Sequence, residues 1–365
     1  MKSVGIVTFF KSYNYGVWLQ AYATQTFFEK EGYKVQIINY ANKLEMQTIS
    51  YFFKEKNRVS GYITSFVKSI LFGKVKYYKK GFANHINEYY KLSPNEYTDI
   101  SEMDNVSYDI LVAGSDQLWN PHRTYGDLDP VFLLQFGKCD KRISLSTSLG
   151  SDEVRVEDKS VFATAFKKFS AISVREDFAR NQLRDLCDIP IKVILDPTFL
   201  LNRADWLAIT KKRSIKQAPT KGYILTYFVS PNKRSSKYCN IIKDYSRILG
   251  VPVLAVQFSR AKSTPYNKMI LGASISDFIY LIENSTLMIT DSFHGVALSV
   301  NLGKEFVAIE NKENPERVKY LLNNLGLIKR IDLLVKDYYK IEYDCVNEKL
   351  DVLRKDSRNW IIGSI

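Results

Sequence analysis

The chain has 365 residues, of which 45% are hydrophobic and 25% charged, and a formal net charge of +13. That composition suits a globular protein with material for two cores, and no apolar run approaches the roughly 18–20 residues of a membrane span. Met1-Lys2-Ser3 leads straight into a strand pattern rather than a secretory leader, and Cys139, Cys187, Cys239 and Cys345 form no CxxC pair, so neither zinc nor a disulfide framework is indicated and a reducing cytoplasm is the expected compartment.

Residues 4–10 read as a buried strand. The loop Lys11-Ser12-Tyr13-Asn14-Tyr15-Gly16 then enters a helix with Trp18, Ala21, Tyr22 and Phe28 on one face and a stop at Gly32, and residues 35–40 form a second strand. This β-loop-α-β opening is of the doubly wound type. It lacks GxGxxG, so no dinucleotide is implied, but it sets Asn14 and Gly16 where open α/β sheets hold ligands. A basic, aromatic stretch then interrupts the alternation and reads as a helical insertion at about 51–97. There Lys54, Lys56, Arg58, Lys68, Lys74, Lys76, Lys79, Lys80 and Lys91 face only Glu55 and Glu88, with Tyr51, Phe52, Phe53, Tyr62, Phe66, Phe72, Tyr77 and Tyr78 interleaved. Such a surface suits nucleic acid, an anionic membrane or a phosphorylated substrate, or is simply a solvated basic face. No nucleic-acid-binding motif accompanies it.

The alternation resumes with strand patterns at 108–113, 143–148, 171–174 and 193–195. They run into Gly114-Ser115-Asp116-Gln117-Leu118-Trp119-Asn120-Pro121, Leu149-Gly150, Arg175-Glu176 and Asp196-Pro197 respectively. Residues 208–222, with Lys211-Lys212-Arg213 and Pro219, read as a linker. A second alternation follows: strand 223–229, helix 233–249, strand 252–258, helix 276–283, strand 286–289, a short helix from Gly295, strand 306–309 and helix 315–325. Residues 331–365 form a tail expected to be helical and to pack on the first domain. The predicted architecture is α/β: two Rossmann-like domains, 1–207 and 223–330, facing each other across a cleft.

Four clusters can converge there: Asn14-Tyr15-Gly16, Gly114 to Asn120, Ser173-Val174-Arg175-Glu176 and Asp291-Ser292-Phe293-His294-Gly295. The last lies where a strand ends and a helix begins, so its free N–H groups and helix dipole favour an anion, and a histidine there can exchange a proton near neutral pH. Each cluster also has a plain structural reading: His294 as a helix cap, Arg175 paired with Glu176 or Asp177, Asp116 as a cap, Asn14 in a turn.

The ordered set of motifs resembles the polysaccharide pyruvyl transferase family. It comprises Asn14-Tyr15-Gly16 with Leu19-Gln20-Ala21-Tyr22-Ala23, Gly114 to Asn120, Ser148-Leu149-Gly150, Ser173 to Glu176, Asp196-Pro197-Thr198 with Trp206, and Asp291 to Gly295. The resemblance implies a GT-B-like fold and transfer of the pyruvate moiety of phosphoenolpyruvate to a sugar, giving a cyclic ketal and phosphate. It implies His294 as general acid, and Arg175 with Ser292, Phe293, His294 and Gly295 around the donor. Asp116 would orient or deprotonate an acceptor hydroxyl. Asn14, Tyr15, Gly16, Gln117, Trp119 and Asn120 would line the cleft on the acceptor side. No metal or cofactor is implied. The expected acceptor is a glycan precursor, of the undecaprenyl-diphosphate-linked kind, met at the inner membrane face through residues 51–91. Where some relatives carry arginine two residues before the histidine, this chain has Ser292; Lys304, Arg260 or Lys262 could supply the missing charge, or neutral groups could hold the donor. The competing readings are a GT-B glycosyltransferase using a nucleotide sugar and a non-catalytic polyanion-binding protein.

Overall fold

The computed structural model describes residues 1–49, 83–124, 126–150, 153–217, 219, 222–230, 236–258, 265–311 and 315–365. Five strands form the first sheet: β1 (Ser3–Val7), β2 (Lys34–Tyr40), β3 (Leu92–Tyr97), β4 (Ile110–Ala113) and β5 (Lys141–Ser144). They run parallel in the order β3-β2-β1-β4-β5, with Ile6 opposite Ile37 on one side and Val112 on the other. Single bridges from Ile143 to Ala171 and Thr147 to Val174 carry the sheet on to a parallel pair, β6 (Ile172–Val174) and β7 (Ile191–Val193).

The second sheet repeats the plan. Strands β8 (Ile224–Tyr227), β9 (Val253–Gln257), β10 (Lys268–Leu271), β11 (Leu287–Thr290) and β12 (Phe306–Ala308) lie parallel in the order β10-β9-β8-β11-β12. Strands β4, β8 and β11 are buried along their whole length, as apolar runs covered on both faces must be. In each sheet the strand order reverses beside the first strand, at β1/β4 and β8/β11. Those switch points are where doubly wound sheets open a ligand crevice. The α/β fold expected from the sequence, two Rossmann-like lobes with their crevices facing, is thus observed.

The helices are α1 (Tyr15–Lys30), α2 (Lys43–Ile49), α3 (Ala83–Tyr89), α4 (Val156–Phe166), α5 (Asp177–Leu183), α6 (Arg203–Ile209), α7 (Ser236–Leu249), α8 (Ile275–Glu283), α9 (Phe293–Asn301), α10 (Pro315–Leu325) and α11 (Tyr343–Ser364). One apolar core runs unbroken from the first lobe into the second. At its centre Tyr15 stacks on Phe278 with ring centroids 4.1 Å apart, meets Tyr227 edge-on, and donates its hydroxyl to the Ala273 carbonyl at 2.8 Å. The segment between the lobes is fastened as well: Ser214 and Ile215 donate their backbone N–H groups to Asp277 at 2.8 Å each. Helix α11 crosses back to the first lobe, where Asp356 pairs with Lys192, Ser357 Oγ accepts from the Leu195 N–H, and Arg358 pairs with Glu31.

One reading needs correction. The helical insertion expected at about 51–97 ends earlier, because Leu92–Tyr97 is an edge strand of the first sheet. Pro94 and the polar run around it mask the strand in sequence, and an edge is where a sheet tolerates proline. Residues 50–82, which carry most of the basic aromatic stretch, lie outside the described residues. Among the described residues, no helix is long and apolar enough to cross a membrane.

Candidate active site

Between the two crevices lies a cavity of about 280 Å³ lined by both lobes. The first lobe contributes Asn14 after β1, Glu45 from α2, and Asp116 and Gln117 after β4; the second contributes Ser230, Asp291 to His294, Asn311 and Arg317. Local hydrogen bonding explains the shape of the second wall. Asp291 accepts from the N–H groups of Val229 (2.7 Å) and Ser230 (3.0 Å), tying the loop after β8 to the end of β11. Ser292 caps α9, its hydroxyl accepting from the Gly295 N–H at 3.3 Å. Gly295 is obligatory in that turn, since a Cβ there would stand 2.7 Å from Thr290 Oγ1.

His294 is buried in the first turn of α9. Its Nε2 lies 3.6 Å from Asp196 Oδ2, too long for a hydrogen bond but close enough for strong electrostatic coupling. The opposite side of the ring presses on Gly16 of the other lobe, where a Cβ would come within 2.1 Å of Nδ1. The imidazole is thus gripped between the lobes by a glycine and a carboxylate. Asp196 is fixed in turn, its Oδ1 accepting from the Thr198 N–H (2.9 Å) and hydroxyl (2.6 Å). Burial alone would raise its pKa, but Arg175 and His294 outweigh burial and hold the carboxyl far below the ordinary range. Asp196 therefore carries a full negative charge beside the imidazole.

Arg175 is almost fully enclosed. Its Nη2 donates to Ser115 Oγ at 2.6 Å and lies 3.0 Å from Asp196 Oδ2, with Asp116 Oδ1 at 4.0 Å, while its guanidinium lies 5.0 Å from the Phe293 ring centre. It pairs with neither Glu176 nor Asp177. Nor does it line the main cavity: it borders a smaller pocket of about 40 Å³ behind Phe293. Asp116 does line the main cavity. Burial pushes its carboxyl up, but Arg175, His294 and Arg317 together bring it below its ordinary value, so it stands ionised against the cavity. Its backbone is left-handed, at φ 82°. Glu176, also buried, is pushed up by burial despite Arg175 and despite the 2.7 Å hydrogen bond it accepts from Ser148.

Several residues placed in the cleft by sequence have other tasks. Tyr15 belongs to the interlobe core described above. Trp119 is likewise core: its indole N–H donates to the Phe132 carbonyl at 3.2 Å, and its rings pack on Phe162, Phe166 and Phe169. Asn120 is buried and caps the short turn after it, accepting from the His122 N–H at 2.9 Å. Asn14 lines the cavity and also caps α1 through the Gly16 N–H at 2.8 Å. Of the cations proposed to stand in for an arginine at 292, Lys304 precedes β12 and so sits at the sheet edge away from the cavity, while Arg260 and Lys262 lie outside the described residues.

The sequence reading missed Arg317 and Glu45, and named Asp196 in a motif without giving it a role. Arg317, in the first turn of α10, reaches the cavity wall: its Nη1 lies 3.8 Å from Asp116 Oδ1, and the Gln117 side-chain oxygen, turned toward it, accepts from Nη2 at 2.9 Å and Nη1 at 3.1 Å. Asp196 is the carboxylate on the histidine. Glu45 uses Oε1 to accept from the N–H groups of Phe10 (3.3 Å) and Lys11 (3.1 Å), and burial drives its pKa up to about 8. No group of three or more His, Cys, Asp or Glu among the described residues could hold a metal ion.

The family comparison agrees with the motif set. The family model described as "Polysaccharide pyruvyl transferase" matches residues 14–313. A curated alanine–tRNA ligase from Buchnera aphidicola is 30% identical over 89 residues, which is 24% of this chain; the chain spans only about 10% of that protein's length. Solved structures of similar outline include a UDP-GlcNAc 2-epimerase from Neisseria meningitidis bound to UDP-GlcNAc, at 11% identity and TM-score 0.47, covering 100% of this chain and 99% of that one. Another is an alpha-glucosyltransferase in complex with UDP, at 9% identity and TM-score 0.48, covering 97% and 100%. The motifs that surround His294, Arg175 and Asp116 all fall inside the matched span; the chain belongs to the polysaccharide pyruvyl transferase family.

Proposed function

We propose that the protein transfers the pyruvate moiety of phosphoenolpyruvate to two hydroxyls of a glycan precursor, forming a cyclic ketal and releasing phosphate. The observation that carries this reading is a histidine held against an ionised buried carboxylate, beside a cavity where an aspartate and an arginine face each other. Family membership supplies the reaction class; the residues fit its chemical demands.

The enol phosphate needs a proton on its methylene carbon, and this makes the carbon bearing the phosphate oxocarbenium-like. His294, 3.6 Å from the ionised Asp196, is the donor of that proton. One sugar hydroxyl adds to the electrophilic carbon and gives its proton to a base, a role we assign to Asp116, whose ionised carboxylate lines the cavity. The second hydroxyl displaces phosphate, and its proton leaves with the phosphate or through the imidazole. The cavity, at about 280 Å³, is of a size for phosphoenolpyruvate and the reacting end of a sugar, with the remainder of an acceptor outside.

The test is direct. Incubation with phosphoenolpyruvate and a panel of free and lipid-diphosphate-linked galactose, mannose and glucosamine acceptors should release phosphate and add one pyruvate ketal by mass. His294→Ala, with an unchanged melting temperature, should lower that rate at least ~100-fold. Nucleotide-sugar turnover in place of ketal formation would replace this reading with glycosyl transfer.

A further inference from the structure

We infer that Arg317 is the donor-anchoring cation of this site, closing with Arg175 around the anionic end of the donor at the edge of the Phe293 ring. This rests on the pyruvyl-transfer reading for the identity of the donor, whereas the anion site itself rests on the placement of the two guanidiniums.

Only Arg123 and Arg317 bring a permanent positive charge to the lining of the main cavity among the described residues. Arg123 is exposed, whereas the Arg317 side chain is 11% exposed and lines both the main cavity and the small pocket behind Phe293. Arg175 lines that small pocket too. The two guanidiniums lie 5.0 and 5.9 Å from the centre of the same Phe293 ring. Two buried like charges so placed repel, and burial together with Arg175 brings the Arg317 pKa down to about 10. An anion between them removes that repulsion.

Hydrogen bonding points the same way. Arg175 Nε and Nη1 and Arg317 Nε are buried and have no acceptor among the described residues. Buried guanidinium N–H groups are costly to leave unpaired. Three such groups around one ring form a ready receptor for a carboxylate or phosphate oxygen. Asp116 at 3.8 Å and Gln117 at 2.9 and 3.1 Å hold Arg317 in position without engaging its Nε. Helix α10 thereby supplies the charge that the neutral Ser292 at the end of β11 does not.

The probe is inorganic phosphate, titrated calorimetrically into wild type, Arg317→Gln and Arg317→Lys, each checked by circular dichroism and melting temperature. The expected result is phosphate binding by wild type, loss of at least ~30-fold in affinity in Arg317→Gln, and an intermediate value in Arg317→Lys, which keeps charge but not the fork. Equal phosphate affinity in wild type and Arg317→Gln, or no binding by either, overturns the inference. Steady-state kinetics separate the two readings: Arg317→Gln should raise KM for phosphoenolpyruvate with the acceptor KM unmoved. A wild type that binds phosphate through Arg317 but forms no ketal sinks the reaction and leaves the anion site standing.

Discussion

The contact between Gly16 and His294 gives a sharp experiment. In Gly16→Ala the new Cβ would lie 2.1 Å from Nδ1, 2.8 Å from Cγ and 2.9 Å from Cε1 of the imidazole. Ordinary contact begins at 3.4 Å, so the ring must retreat by roughly 1.3 Å, and Asp196 already stands 3.6 Å from Nε2. A misplacement of about 1 Å at a reacting group costs on the order of 100-fold in rate. Stability should move much less. Alanine gains up to about 1 kcal/mol in helix propensity over glycine, set against about 1–3 kcal/mol for overpacking. The assay is ketal formation, run beside thermal unfolding and an NMR titration of the imidazole; with three histidines in the chain the resonance is assignable. Wild-type turnover in Gly16→Ala, with the His294 resonance unshifted, would refute the idea that Gly16 and Asp196 fix the imidazole.

Two further perturbations separate site from scaffold. Burial lifts the Glu45 carboxyl from its ordinary 4.5 to about 8, so the folded state holds a proton that the unfolded chain has already lost. Stability is therefore highest below pH 4.5 and falls as pH rises to about 8, by at most about 5 kcal/mol at ~1.4 kcal/mol per pH unit. Glu45→Gln should flatten that slope in urea titrations between pH 5 and 8; parallel slopes in the two proteins would remove Glu45 as its source. Trp119→Ala should cost about 3–5 kcal/mol of stability and leave KM for the acceptor within about twofold. A shifted acceptor KM at unchanged stability would return Trp119 to the cleft.

Much of this arrangement could be read from the chain because parallel strands buried on both faces appear as continuous apolar runs, and their ligands gather at the ends of those runs. The clusters at Asn14, Asp116, Arg175 and His294 all announced themselves that way. Leu92–Tyr97 did not, since a short edge strand with a proline and polar neighbours has no apolar run to show. Tyr15 and Trp119 were misplaced because an aromatic beside a motif reads alike whether it faces the cavity or the core. Arg317 was overlooked for a different reason. In sequence it is one more charge at the start of a surface-like helix, and only the approach of α10 to Phe293 turns it inward.

The shared core has a consequence for how the lobes can move. Swinging the lobes apart would strip Tyr15, Tyr227 and Phe278 of their mutual cover. At about 1.5–3 kcal/mol for each large side chain brought back to water, a gaping state would be populated only rarely. The body of the molecule thus behaves as a single block, with His294, Asp196 and Asp116 held in fixed register.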